Sequence, residues 1–144
     1  MYVELGVNIL TVPLSTGHGN ESTLMHRLKE LLRSELIERI LKFRCERDWE
    51  QFHKPKDMVL SLMIEAAELA EHVQWKSDND FVEHLKTKRE EFGDELADVL
   101  YWVLLLSHDL EIDLVAAFKN KMDKNEKKYP VQKARGMAKK YNEI

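Results

Sequence analysis

Between Gly19 and Gly136 the chain contains one glycine, Gly93, and two prolines, Pro55 and Pro130. Sheets need turn residues every few positions, so this scarcity argues against a strand-rich fold and for long helices. With 144 residues, 44% hydrophobic and 33% charged, the chain has room for one ordinary domain with a real core. The 22 basic and 26 acidic residues leave a formal charge of −4, which does not suggest a nucleic-acid binder. A single cysteine, Cys45, excludes a disulfide framework and any multi-cysteine zinc site, and a buried, inert thiol is expected there. The longest apolar run, Val99 to Leu106, is too short to span a bilayer. Nor does the segment from Met1 to Leu14 have the basic lead of a secretory signal. No membrane partner and a cytoplasmic location are therefore expected.

Residues 1–21 read as an irregular leader, 22–130 as a helical domain and 131–144 as a polar basic tail. Ser22 can cap a first helix reaching about Trp49, with Leu24, Leu28, Leu31, Leu32, Leu36, Ile40 and Phe43 on one apolar face. Pro55 interrupts, and Asp57 is placed to cap a second helix from about Met58 to Trp75. Asp80 and Glu83 have capping-box spacing for a third helix ending near Leu110. Asp113 can cap a fourth, stopped at Tyr129-Pro130. The expected architecture is an all-α four-helix bundle. Val99 to Leu106 is apolar on every side, so the third helix calls for burial all round. A lone chain of this size has difficulty supplying that cover, which points to a second subunit.

The informative residues are acids. Glu65 and Glu68 lie three apart on the second helix, Glu95 and Asp98 three apart on the third, so each pair projects from one helix face. Such pairs are common; Glu35/Glu38, Glu68/Glu71, Asp80/Glu83, Glu91/Asp94 and Asp123/Glu126 share the spacing, and one alone is usually a solvated face. The setting distinguishes two of them. Glu65 and Glu68 interrupt the apolar stretch Leu62 to Ala70, and Asp98 precedes the all-apolar run. Unpartnered carboxylates in such places are costly, and no Lys or Arg lies close in sequence. Converging across two helices, four carboxylates would repel by several kcal/mol without a cation between them. Mg²⁺, hard and oxygen-seeking, is the natural occupant, with Mn²⁺ a possible substitute. A di-iron centre is disfavoured, because neither pair has the Glu-x-x-His form.

Charge is also divided along the chain. Residues 61–98 hold eleven acids and four bases, a balance of −7, and residues 119–140 hold nine bases and two acids, a balance of +7. A metal-loaded acidic pocket beside a basic helix suits a polyphosphate, although a basic helix C-terminus is also favourable by itself. Trp102 reads as core, while Trp49 and Trp75 stand at helix ends, where an aromatic face can either pack or stack a nucleobase. His53 can be a base contact or a plain loop histidine.

Glu65-Ala-Ala-Glu68, 26 intervening residues and Glu95-Leu-Ala-Asp98 resemble the Glu-x-x-Glu…Glu-x-x-Asp signature of MazG-like nucleoside triphosphate pyrophosphohydrolases. Arg47 to His53, Gln74-Trp-Lys76, Lys121 to Asn125 and Lys128-Tyr-Pro130 are similar to the dCTP pyrophosphatase branch. The resemblance covers about residues 40–130, with a weaker echo at Arg135-Gly136 and Lys140-Tyr141. It implies Mg²⁺-dependent cleavage of a deoxynucleoside triphosphate, dCTP or a 5-modified dCTP, to the monophosphate and pyrophosphate. Glu65, Glu68, Glu95 and Asp98 would be the catalytic metal ligands. Trp49, Glu50, Gln51, Phe52, His53 and Trp75 would form the base-binding region, and Lys121 and Asn125 would meet phosphate or sugar. Glu68 or Glu71 would orient the attacking water. A homotetramer, or a dimer, is implied as well. This chain departs from the branch at Trp102, where relatives carry Tyr, and at Ile40, where they can carry His; both positions concern the nucleotide. Two rival readings are a broad nucleoside triphosphate pyrophosphohydrolase and a non-catalytic helical oligomerisation module.

Overall fold

The computed structural model describes residues 34–143, and every regular element among them is helical. The expected cap Ser22, the apolar positions Leu24 to Leu32 and the leader 1–21 lie outside the described residues. A helix over 34–45 (α1) is followed by a 3-10 turn at Trp49–Gln51. Then come Pro55–Glu71 (α2), Asp78–Asp109 (α3), Leu114–Lys128 (α4), the short Val131–Ala134 (α5) and a 3-10 turn at Tyr141–Glu143. The segment read as a polar tail therefore carries α5, and its Tyr141 ring meets Tyr129 edge-on at 6.2 Å.

Three boundaries differ from expectation for identifiable reasons. Helix α1 stops at 45, short of Trp49, because Asp48 turns left-handed at φ 54°. Helix α2 begins at Pro55 rather than after it; proline at the first helical position has φ preset and loses no needed hydrogen bond. Asp57 is consequently a first-turn acid favourable to the helix dipole, not the cap. The capping box of α3 is Ser77/Asp80, one turn before Asp80/Glu83: Asp80 N–H donates to Ser77 Oγ, and Ser77 N–H donates to the Asp80 carboxylate, both at 3.3 Å. Two other ends match the sequence. Asp113 caps α4 by accepting from Val115 and Ala116 N–H, and α4 stops before Pro130.

The packing unit is the α2–α3 pair. His72 meets His84 and Phe92, while Glu65 meets Trp102, so contact partners run in opposite directions and the helices are antiparallel. Met58 from α2 and Leu104 and Leu105 from α3 form the buried apolar centre. Helix α3 bends at Lys88, where φ −118° and ψ 23° leave the helical region.

Expected burial is only partly met within one chain. Leu104 and Leu105 are covered, but Leu100 in the same apolar run is 46% exposed. On α2, the side turned from α3 presents Val59, Leu60, Met63 and Ile64, all exposed. Cys45 is exposed rather than buried, because the inward stripe of α1 runs through positions 37, 41 and 44.

Candidate active site

Antiparallel pairing of α2 and α3 brings one acid pair against the other. Ligand oxygens of Glu65, Glu95 and Asp98 lie within 4.8 Å of one another, with both glutamates half-buried and the aspartate exposed. Glu68 faces the adjoining groove, which Glu95 shares with Glu71, His72, Lys76 and His84. Desolvation, then the negative charges of Glu68, Asp98 and Glu65, push the Glu95 carboxyl above its ordinary value. Loss of water and the crowding of like charges both oppose ionisation there, and a bound cation would offset them. The donor set is all carboxylate oxygen, which fits a hard divalent ion such as Mg²⁺ or Mn²⁺ and gives no preference to a softer one.

An aromatic enclosure adjoins the acids. The left-handed turn at Asp48 and the following 3-10 turn fold Trp49 back onto Phe43, ring centroids 5.7 Å apart and nearly perpendicular. Gln51 braces that turn by donating to the Asp48 carbonyl and carboxylate, at 3.0 and 2.7 Å. Trp49 then stands 6.0 Å from His53, and His53 meets Trp102 at 5.1 Å. A cavity of about 390 Å³ opens between Trp49, Phe52, His53, Met58 and Trp102. A second, of about 610 Å³, continues past Trp49 and Trp102 to Ile40, Tyr101, Glu65 and Asp98. Both share Trp49, His53 and Trp102, so the enclosure ends at the acids. Ile40 is part of that wall.

His53 is held neutral: burial, then the positive Arg44 guanidinium, lower its pKa. Its Nδ1 is buried and makes no hydrogen bond, and Asp57 and Ser61 are further polar residues lining the smaller cavity.

Of the base-binding candidates, Trp49, Phe52, His53 and Trp102 come together. Glu50 and Gln51 do not line the enclosure, and Gln51 serves the turn instead. Trp75 is 94% exposed in a left-handed turn between α2 and α3, while Lys121 and Asn125 stand on α4; none of the three lines either cavity. Sequence reading passed over the His72–His84 contact, Nδ1 to Nε2 at 3.0 Å, and the Arg44–Asp109 ion pair. Arg44 did leave a signal: it continues the inward 37, 41, 44 stripe, where a charge requires a partner.

Known proteins resemble this chain in sequence and in fold. The model of the MazG-like family matches residues 60–144. Mouse dCTP pyrophosphatase 1 is 42% identical over 105 residues, covering 72% of this chain and 62% of that protein. The human dCTP pyrophosphatase 1 is 41% identical over the same length and shares. The chain thus spans about 62% of the length of these curated relatives. The crystal structure of a pyrophosphatase from Archaeoglobus fulgidus superposes with a TM-score of 0.63 at 36% identity, covering 82% of this chain and 99% of that one. Acid pairs converging between antiparallel helices, a family match across both pairs and a full-length structural relative lead to one conclusion: this chain belongs to the MazG-like family.

Proposed function

We propose that the chain is a nucleoside triphosphate pyrophosphohydrolase that converts dCTP, or a 5-modified dCTP, to the monophosphate and pyrophosphate. The carrying observation is the convergence of Glu65, Glu95 and Asp98 at the end of an aromatic enclosure. A nucleotide laid with its base among Trp49, His53 and Trp102 would reach the acids with its phosphates. The relatives' names point to dCTP.

Glu65, Glu95 and Asp98, with Glu68 at the adjoining groove, would hold Mg²⁺, or Mn²⁺ in its place. The bound cation would supply charge neutralisation for the phosphates and Lewis acidity toward the phosphorus and the attacking water. The protein's own part is geometric and electrostatic. Two helices fix the acids, so little reorganisation accompanies the reaction. Aromatic faces give stacking that any base can use, and the polar residues lining the same cavity, His53, Asp57 and Ser61, would supply discrimination. Glu68 or Glu71, both on the groove beside Glu95, would orient the water.

The homotetramer implied by the sequence resemblance would place subunits over the apolar side of α2, where Val59, Leu60, Met63 and Ile64 are exposed. Assembly would also be the route by which Trp75, Lys121 and Asn125 approach a nucleotide. The cytoplasm is the proposed compartment; no described helix is long and apolar enough to cross a membrane.

The test is pyrophosphate release from the four dNTPs and 5-methyl-dCTP, with and without Mg²⁺. Strict metal dependence with dCTP preferred supports the reading. Equal use of every base keeps the chemistry and removes the base pocket. Absence of turnover by folded protein favours the oligomerisation module.

A further inference from the structure

Trp102 Nε1–H donates to Glu65 Oε1 at 3.2 Å, across 37 residues and in a half-buried setting. The indole is pinned on both sides, edge-on to Tyr101 at 5.0 Å and to His53 at 5.1 Å. One ring thus walls the aromatic enclosure and hydrogen-bonds to a member of the acid cluster.

We propose that Trp102 is a positioning residue for Glu65, its indole N–H occupying one carboxylate oxygen and turning the other toward the cation, so that metal affinity depends on a side chain that also borders the nucleotide. This rests on the metal-site reading above. An indole N–H only donates, carries no charge and cannot itself ligate a metal. It therefore orients the carboxylate without competing for the ion, and a hydrogen bond to an ionised group is worth more than a neutral one. Partners that orient metal ligands in this manner typically change metal affinity by about 10–100-fold when removed. The same ring contacts His53, so a nucleotide that presses on the aromatic wall presses on the group that sets Glu65.

The experiment measures Mn²⁺ binding by electron paramagnetic resonance, without nucleotide, in the unsubstituted chain and in Trp102→Phe. Phenylalanine retains an aromatic wall and deletes the donor. About a 10-fold or greater weakening of Mn²⁺ binding is expected, with helicity unchanged by circular dichroism. If Trp102→Phe does not fold, benzothienylalanine at 102, in which sulfur replaces the N–H in a ring of nearly the same shape, makes the same deletion. Wild-type Mn²⁺ affinity in the folded donor-less protein overturns the proposal, and a defect confined to KM for the nucleotide then assigns Trp102 to the wall alone. An unsubstituted chain that binds no Mn²⁺ removes the metal site itself and this inference with it, a failure distinguishable because it needs no substitution.

Discussion

Arg44 on α1 and Asp109 at the end of α3 form a two-point ion pair: Nη1 donates to Oδ2, and Nη2 donates to Oδ1 at 3.2 Å. The side chains are only 7% and 20% exposed, so the charges are largely withdrawn from water. Removing one partner strands the other. Asp109→Asn should therefore cost about 3 kcal/mol of unfolding free energy, at the lower end for buried pairs because Asp109 keeps some solvent contact. Replacing both, Arg44→Met with Asp109→Leu, should cost less than either single change. Urea denaturation of Asp109→Asn, the double replacement and its two single changes decides this; an Asp109→Asn protein as stable as its parent would show that the pair contributes nothing.

Stability should fall with acid in two stages. Burial, then the Arg44 guanidinium, lower the His53 pKa; burial, then Lys76 and His72, lower that of His84. The folded state resists protonating these rings, so their contribution is complete above the ordinary value of 6.5 and is lost as pH falls through the lowered folded values. Asp109 behaves differently. Burial pushes its carboxyl up, but hydrogen bonds from Arg44 and His108 outweigh that and leave it below its ordinary 3.8. Its contribution holds above that value and disappears only as pH drops through the lower folded one. Melting temperature followed from pH 8 to pH 3 should decline first below about 6.5 and again below about 4. His84→Phe should flatten the first stage, and an unchanged slope would discard the histidine assignment.

The convergence of the carboxylates in the candidate site was legible in the sequence because their spacing is a helical spacing and their surroundings are apolar. The i, i+3 pairs Glu65/Glu68 and Glu95/Asp98 need only an antiparallel pairing to meet, and the short link 72–77 enforces one. Helix ends were less legible. Pro55 can stop one helix or start another, and only the φ it finds decides which. Ser77 was concealed by an equally good cap signal at Asp80. The Arg44–Asp109 and His72–His84 contacts join residues 65 and 12 positions apart. No local periodicity encodes such pairings; they follow from how α1, α2 and α3 lie together.

Neutralising an acid in the site should trade function for stability. Burial and its three acidic neighbours oppose the charge on Glu95 in the metal-free protein. Glu95→Gln removes that opposition while retaining size, so the metal-free variant should melt higher than its parent. Hydrolysis should fall more than about 100-fold, beyond the loss typical of removing a ligand's partner. Saturating Mg²⁺ should raise the melting temperature of the parent much more than that of the variant. Paired melts with Mg²⁺ and with a chelator test this, and a variant less stable without metal would contradict the crowding of charge. Glu65→Gln and Asp98→Asn should likewise abolish turnover with helicity retained.

Trp75 separates function from folding most cleanly. It is 94% exposed and its φ is 63°, a conformation that costs an L-residue about 1–2 kcal/mol and that glycine adopts freely. A large aromatic ring held there yields little burial in return within one chain, so packing inside the chain gives it no reason to be tryptophan. Trp49 differs, because its ring packs on Phe43 and His53. Trp75→Gly should therefore leave the melting temperature unchanged or raise it, whereas Trp49→Ala should lower it. Both should raise KM for dCTP, by roughly 5- to 100-fold each if the ring stacks a base. If Trp75→Gly melts higher and turns dCTP over with the parent's KM, this tryptophan has no part in nucleotide binding. If it melts higher but binds dCTP poorly, the strained turn serves the substrate at the expense of the fold.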